Sequence, residues 1–107
     1  MTSVSTHVLD TARGCPAAGV SVTLEVRDGD GWRRVASAVT GVDGRCGGLP
    51  ELPEAPATCR LVFATARYLG EGAFFPEVAI SFSAGEGEHY HVPLLLSPYG
   101  YTIYRGS

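Results

Sequence analysis

Glycine and proline interrupt this chain so often that long helices have no room. Fourteen glycines and seven prolines are strung through 107 residues. The stretches between them are short, alternating and rich in Val, Thr, Ile, Phe and Tyr, which is the signature of an all-β domain. Val4, Thr6 and Val8 alternate with Ser5, His7 and Leu9 in a first strand that ends near Asp10, with His7 placed near the strand end, and Ala12 to Pro16 then reads as a turn. Val20, Val22, Leu24 and Val26 make a period-two apolar face, and Asp28-Gly29-Asp30-Gly31 turns the chain into a partner strand from Trp32 to Val39.

From Thr40 to Pro56 glycine and proline predict loop, with at most a short strand around Arg45. Cys59 to Thr65 reads as a buried strand, and Ala66 to Gly72 is the only candidate for a helical turn or two before Phe74-Phe75-Pro76 restarts extended chain. Glu77 to Ser83 alternates again. His89 to Leu96 is a strand that Pro93 assigns to a sheet edge or a bulge, because proline cannot donate to a ladder. A last strand runs from Tyr101 to Arg105. About seven or eight short strands at this spacing predict a two-sheet β-sandwich, and residues 1–107 are expected to form one domain, a size that buries roughly two-thirds of its unfolded surface.

Composition removes several kinds of chemistry. The eight basic residues stand against eleven acidic ones and include no basic stripe, which argues against a nucleic-acid partner. All eight are Arg, so Schiff-base and pyridoxal phosphate chemistry have no amine to use, and Asn and Gln are absent. Cys15, Cys46 and Cys59 are odd in number, lack any paired spacing and read as reduced thiols. Met1 to Asp10 has no signal-peptide pattern, no stretch approaches a membrane span, and Arg105-Gly106-Ser107 is not a peroxisomal address of the Ser-Lys-Leu type; the cytoplasm is the default expectation. No nucleophile elbow or phosphate-binding glycine loop is present, so activated water is the better mechanism.

Three histidines exist, His7, His89 and His91, and strand alternation puts His89 and His91 on one face. Alone, such a pair reads most simply as partly exposed strand residues. A metal held by all three is disfavoured, because no Cys or carboxylate completes the ligand set. Arg45 after Asp43-Gly44 reads, alone, as a solvated turn residue. The aromatic run Tyr99, Tyr101 and Tyr104 close to Ser107 is expected to be tied down in a sheet or at a subunit contact rather than frayed.

Together, Ser5-Thr6-His7-Val8-Leu9-Asp10, Asp43-Gly44-Arg45, Phe74-Phe75-Pro76-Glu77-Val78, the run from His89-Tyr90-His91-Val92-Pro93 to Tyr101, and Tyr104-Arg105-Gly106-Ser107 resemble the 5-hydroxyisourate hydrolases of the transthyretin-related family. The resemblance spans the chain in order. It implies a transthyretin-like sandwich of about eight strands with one short helix, assembled as a homotetramer of two dimers with active sites in the channel between them. It also implies that His7, Arg45 and His91 are catalytic and that Tyr104 and Ser107 belong to a tail closing the site; no step of such a hydrolysis requires a cofactor. Transthyretin, a carrier of thyroid hormone, shares the fold and the Leu-Leu-Ser-Pro-Tyr type of segment but lacks the Tyr-Arg-Gly-Ser end and the matching His and Arg; a non-catalytic carrier is the alternative. Two departures stand out, Cys15 at a position commonly basic and Ile103 where a small hydroxyl residue is usual. In such a hydrolase His7 or His91 would activate water, and Arg45 would stabilise the oxyanion.

Overall fold

Period-two alternation decides which side of each strand is buried, and in four strands it does so almost without exception. In β1 (Ser3–Asp10) Val4, Thr6, Val8 and Asp10 point inward while Ser3, Ser5, His7 and Leu9 stay half-exposed on the outer side. The inner residues of β3 (Ser21–Asp28), β5 (Ala57–Ala64) and β7 (His89–Ser97) follow the same rule, and Val22, Leu24, Leu61, Phe63, Leu94 and Leu96 are fully buried where they meet. Each such side chain contributes about 1.5–3 kcal/mol by leaving water.

The computed structural model describes all 107 residues. Besides those four strands it contains β2 (Cys15–Pro16), β4 (Gly31–Val39), α1 (Thr65–Leu69), β6 (Val78–Ala84) and β8 (Gly100–Ile103). The strands form two four-stranded sheets in the orders β2-β1-β7-β8 and β4-β3-β5-β6, a two-sheet sandwich as the alternation predicts. Every pairing is antiparallel except β1 with β7, which run parallel from Ser3 beside His89 to Asp10 beside Leu96.

The helix follows β5 directly and ends at Gly70, whose φ of 98° is open to glycine at little cost. Tyr68 on this helix donates a hydrogen bond of 2.6 Å to Asp10 Oδ2, while the amides of Ala12 and Arg13 donate to Asp10 Oδ1. The buried end of β1 is thereby tied to both the helix and the following turn.

Five local expectations need correction. β1 ends at Asp10 as expected, but His7 lies inside it, with Ser3 to Thr6 before it and Val8 to Asp10 after it, rather than near its end. Cys15 and Pro16, expected as turn, pair with Asp10 and Leu9 as the short β2. Phe74-Phe75-Pro76 bends instead of extending, and β6 starts only at Val78. Pro93 is not on an edge strand, since β7 lies between β1 and β8.

The fifth correction follows from the fourth. β7 and β8 pair from Ser97 with Gly100 to Leu94 with Ile103, and the same register returns as a bridge between His91 and Gly106. Pro93 falls in the gap, opposite Tyr104, where its missing N–H breaks the ladder. The last strand therefore stops at Ile103 rather than Arg105.

Candidate active site

The outer side of the β2-β1-β7-β8 sheet collects residues that are far apart in the chain. The parallel register sets Ser3 beside His89, Ser5 beside His91 and His7 beside Pro93, and alternation turns all of these away from the core. His7 and His91 are half-buried there, and His89 is exposed.

Arg45 reaches the same face because residues 41–46 run beside β1. The Val8 amide donates to the Gly44 carbonyl at 2.8 Å, and His7 and Arg45 form an isolated antiparallel bridge. Asp43 shapes the turn by accepting the Arg45 amide on Oδ1 at 3.0 Å. Gly44 makes the close approach possible. Its φ is +80°, and a Cβ there would stand 2.3 Å from the Val8 carbonyl oxygen and 3.2 Å from His7 Cδ2. Arg45 itself is exposed and forms no ion pair with any carboxylate of the chain, so its guanidinium is free for a ligand.

The hydrogen bonds of the imidazoles show which ring nitrogens are engaged. His7 Nε2 lies 2.7 Å from the Asp43 carbonyl oxygen, which can only accept, so Nε2 carries a proton and Nδ1 is the basic nitrogen of the neutral ring. On His91 it is Nδ1 that is engaged, 2.8 Å from Ser5 Oγ, and Nε2 is the nitrogen left for a ligand. Burial, and then the neighbouring charges of Arg45, His7 and His89, lower the pKa of His91 below its usual value. A neutral His91 at physiological pH is the result.

The tail is brought to His91 by its backbone. Gly106 N donates to the His91 carbonyl at 2.7 Å. Arg105 anchors this stretch from the other side, with its guanidinium 4.5 Å over the Tyr90 ring and 3.3 Å from Glu88 Oε1. Tyr104, just beyond the end of β8, is half-exposed and borders a cavity shared with Phe82, Tyr90 and Val92. Ser107 is exposed one residue beyond the bridge. Neither hydroxyl hydrogen-bonds to His7, Arg45 or His91, so of the five expected site residues three are gathered by backbone pairing and two lie alongside.

Sequence reasoning missed Ser3, Ser5, Gly44 and Gly106, and left His89 without a role. Ser3 Oγ is 2.6 Å from His89 Nδ1, and Ser5 Oγ is 2.9 Å from His89 Nε2 as well as close to His91. The spacing of Ser3 and Ser5 matches that of His89 and His91, a signal that becomes readable only once β1 and β7 are known to be parallel neighbours.

Two sheets in these orders, with two imidazoles and an unpaired guanidinium assembled on the open face of one, define a transthyretin-like sandwich. Residues 4–106 match the HIUase/Transthyretin family, and the chain belongs to that family. The 5-hydroxyisourate hydrolase of Salmonella dublin is 45% identical over 109 residues, covering 97% of this chain and 80% of that one. The uric acid degradation bifunctional protein of Arabidopsis thaliana is 46% identical over 120 residues; the match takes in 97% of this chain, which spans 37% of that protein's length. Among solved structures, Klebsiella pneumoniae 5-hydroxyisourate hydrolase superposes with a TM-score of 0.86 at 35% identity over 100% of both chains. Sea bream transthyretin in complex with thyroxine gives 0.88 at 31% identity, covering 96% of this chain and 93% of that one.

Proposed function

We propose that this chain hydrolyses 5-hydroxyisourate, opening its lactam ring to a carboxy-ureidoimidazoline in urate degradation. The observation that carries the reading is the gathering of His7, Arg45 and His91 on one sheet face with the Arg45 guanidinium unpaired. Such a site suits a planar, oxygen-rich substrate whose carbonyl becomes an oxyanion.

In this mechanism the neutral His91 accepts a proton from water on Nε2 as the water oxygen attacks the carbonyl carbon. Arg45 binds the substrate oxygens and holds the negative charge of the tetrahedral intermediate. His7, fixed by the Asp43 carbonyl, presents its bare Nδ1 to the substrate and relays the proton left on the tetrahedral hydroxyl to the leaving nitrogen as the C–N bond breaks. Tyr104 contacts the substrate, and Ser107 assists the proton transfer. None of these steps calls for a cofactor or a metal.

The same reading makes the working form a homotetramer with its sites between dimers. A flat sheet face exposing Arg45 cannot exclude water alone, whereas two such faces opposed across a channel strengthen every charge interaction between them. A cytoplasmic setting accords with Cys15, Cys46 and Cys59, all of which are unpaired. No helix is long and apolar enough to cross a membrane. A carrier role is the second reading, favoured by the likeness to sea bream transthyretin, but a carrier has no need of a neutral imidazole beside a free guanidinium.

The test is to generate 5-hydroxyisourate in place from urate with urate oxidase and follow its ultraviolet decay. Acceleration well above the spontaneous rate is expected. A folded tetramer that leaves the decay unchanged would transfer the protein to the carrier reading.

A further inference from the structure

We propose that Ser5, His89 and Ser3 form a proton wire from His91 to solvent, with Ser5 as the positioning residue that links the two imidazoles. This inference rests on the hydrolase reading above. Lactam hydrolysis consumes one water: the carbonyl carbon gains an oxygen, the C–N bond breaks, and the leaving nitrogen takes one proton. The other product group is a carboxylic acid, which ionises near neutral pH. One proton per turnover must therefore reach solvent, and during the reaction the substrate covers His91 Nε2.

The only other nitrogen of His91 is Nδ1, and it leads outward. Ser5 Oγ lies between His91 Nδ1 at 2.8 Å and His89 Nε2 at 2.9 Å, and Ser3 Oγ is 2.6 Å from His89 Nδ1. His89 is exposed. Parallel pairing of Ser3 with His89 and Ser5 with His91 interleaves two hydroxyls with two rings along one face. Each hydroxyl has one proton to give and lone pairs to accept with. With a proton on His91 Nδ1, every donor meets an acceptor: His91 donates to Ser5, Ser5 to His89 Nε2, and His89 Nδ1 to Ser3.

When His91 Nε2 gains a proton, the Nδ1–H bond breaks toward Ser5. The Ser5 O–H proton then passes to His89 Nε2, and His89 releases its Nδ1 proton through Ser3 to water. One proton enters the chain of groups and one leaves it. After product departs, His91 gives its Nε2 proton to water in the open site while solvent returns one through Ser3, His89 and Ser5 to Nδ1, which restores the starting order of donors and acceptors. Arg45 from its loop, His7 from β1 and His89 from β7 are the charged and titratable groups around His91, and all three disfavour its cation. A proton on His91 is thus driven outward.

If the serines merely orient the rings, small proton carriers cannot replace them. The experiment is therefore buffer rescue. In weak buffer at neutral pH, Ser5→Ala should lower turnover by about one to two orders of magnitude, and added imidazole at constant pH should restore most of it after subtraction of the enzyme-free decay. Ser5→Thr, which keeps the hydroxyl, should recover most of the rate without added carrier, and His89→Ala should show the same rescue as Ser5→Ala. An active wild type together with a Ser5→Ala variant that is unimpaired, or impaired without rescue, overturns the wire alone. A wild type that does not hasten the decay overturns the hydrolase reading and the wire with it.

Discussion

Gly106 packs against the ring of His91 so closely that a methyl group on its α-carbon would lie 2.7 Å from Cδ2. Gly106→Ala must therefore push the imidazole aside or break the backbone bond that ties the tail to it. Because a misplacement of about 1 Å in a reacting group costs roughly a hundredfold in rate, kcat should fall by about that factor. Thermal melting checks that the fold survives.

Arg45→Lys keeps the charge but loses the planar fork. Turnover should drop by about two to three orders of magnitude. The melting temperature should hardly move, since Arg45 is exposed and has no ion pair to lose. Near-normal turnover in this variant would remove Arg45 from the oxyanion role.

His91 must be neutral to act as a base, and its pKa lies below the usual histidine value. Activity should thus stay level through the range in which an ordinary histidine titrates and decline only at more acidic pH. In an NMR titration the His91 ring should show the same low midpoint. Arg45→Ala should raise it, because one of the charges opposing the imidazolium is gone. An unmoved midpoint would contradict the proximity of the two groups.

Asp10 offers a stability test away from the site. Burial opposes its charge, but the hydrogen bonds from Tyr68, Arg13 and Ala12 and the Arg13 charge together hold its carboxyl below the usual range. A depressed folded pKa means that this stabilisation is complete above the unfolded pKa and is lost as pH falls through the folded one. Tyr68→Phe should cost about 1.5–3 kcal/mol at neutral pH. Denaturant melts should show that difference shrinking in acid.

Deleting residues 104–107 should abolish activity and leave a folded chain. β8 ends at Ile103, and the lost stretch contributes one backbone bond and the Arg105 contacts with Tyr90 and Glu88. Circular dichroism and the decay assay together decide this. Full activity in the shortened protein would exclude the tail from the mechanism.

Local pattern carried most of the fold. The alternation in β1, the β3–β4 hairpin and the apolar run of β5 are each determined by neighbours in sequence, and each was legible. What was not legible depends on pairing over long separations. Nothing near Ser3 or His89 says that β1 and β7 lie side by side and parallel, so the Ser–His interleaving stayed hidden. Pro93 shows the same limit: its missing donor is plain in the sequence, but that the gap it makes lies inside the sheet is set by the distant pairing of β7 with β1 and β8. At the site, His7, Arg45 and His91 were named by family resemblance, since each has a plainer reading alone. The glycines that back the two rings matter only through contacts made after folding.

The gap at Pro93 means that the end of the chain owes its independence to an absent hydrogen atom. With an ordinary amide at position 93, the ladder would have a rung to offer opposite Tyr104, and β8 would be able to zip onward through Arg105 into the bridge at Gly106. As it is, the sheet ends one rung early and Tyr104 and Arg105 span the break. The main-chain grip on this segment is then at His91 itself, so any movement of the tail is transmitted to the residue whose ring it covers.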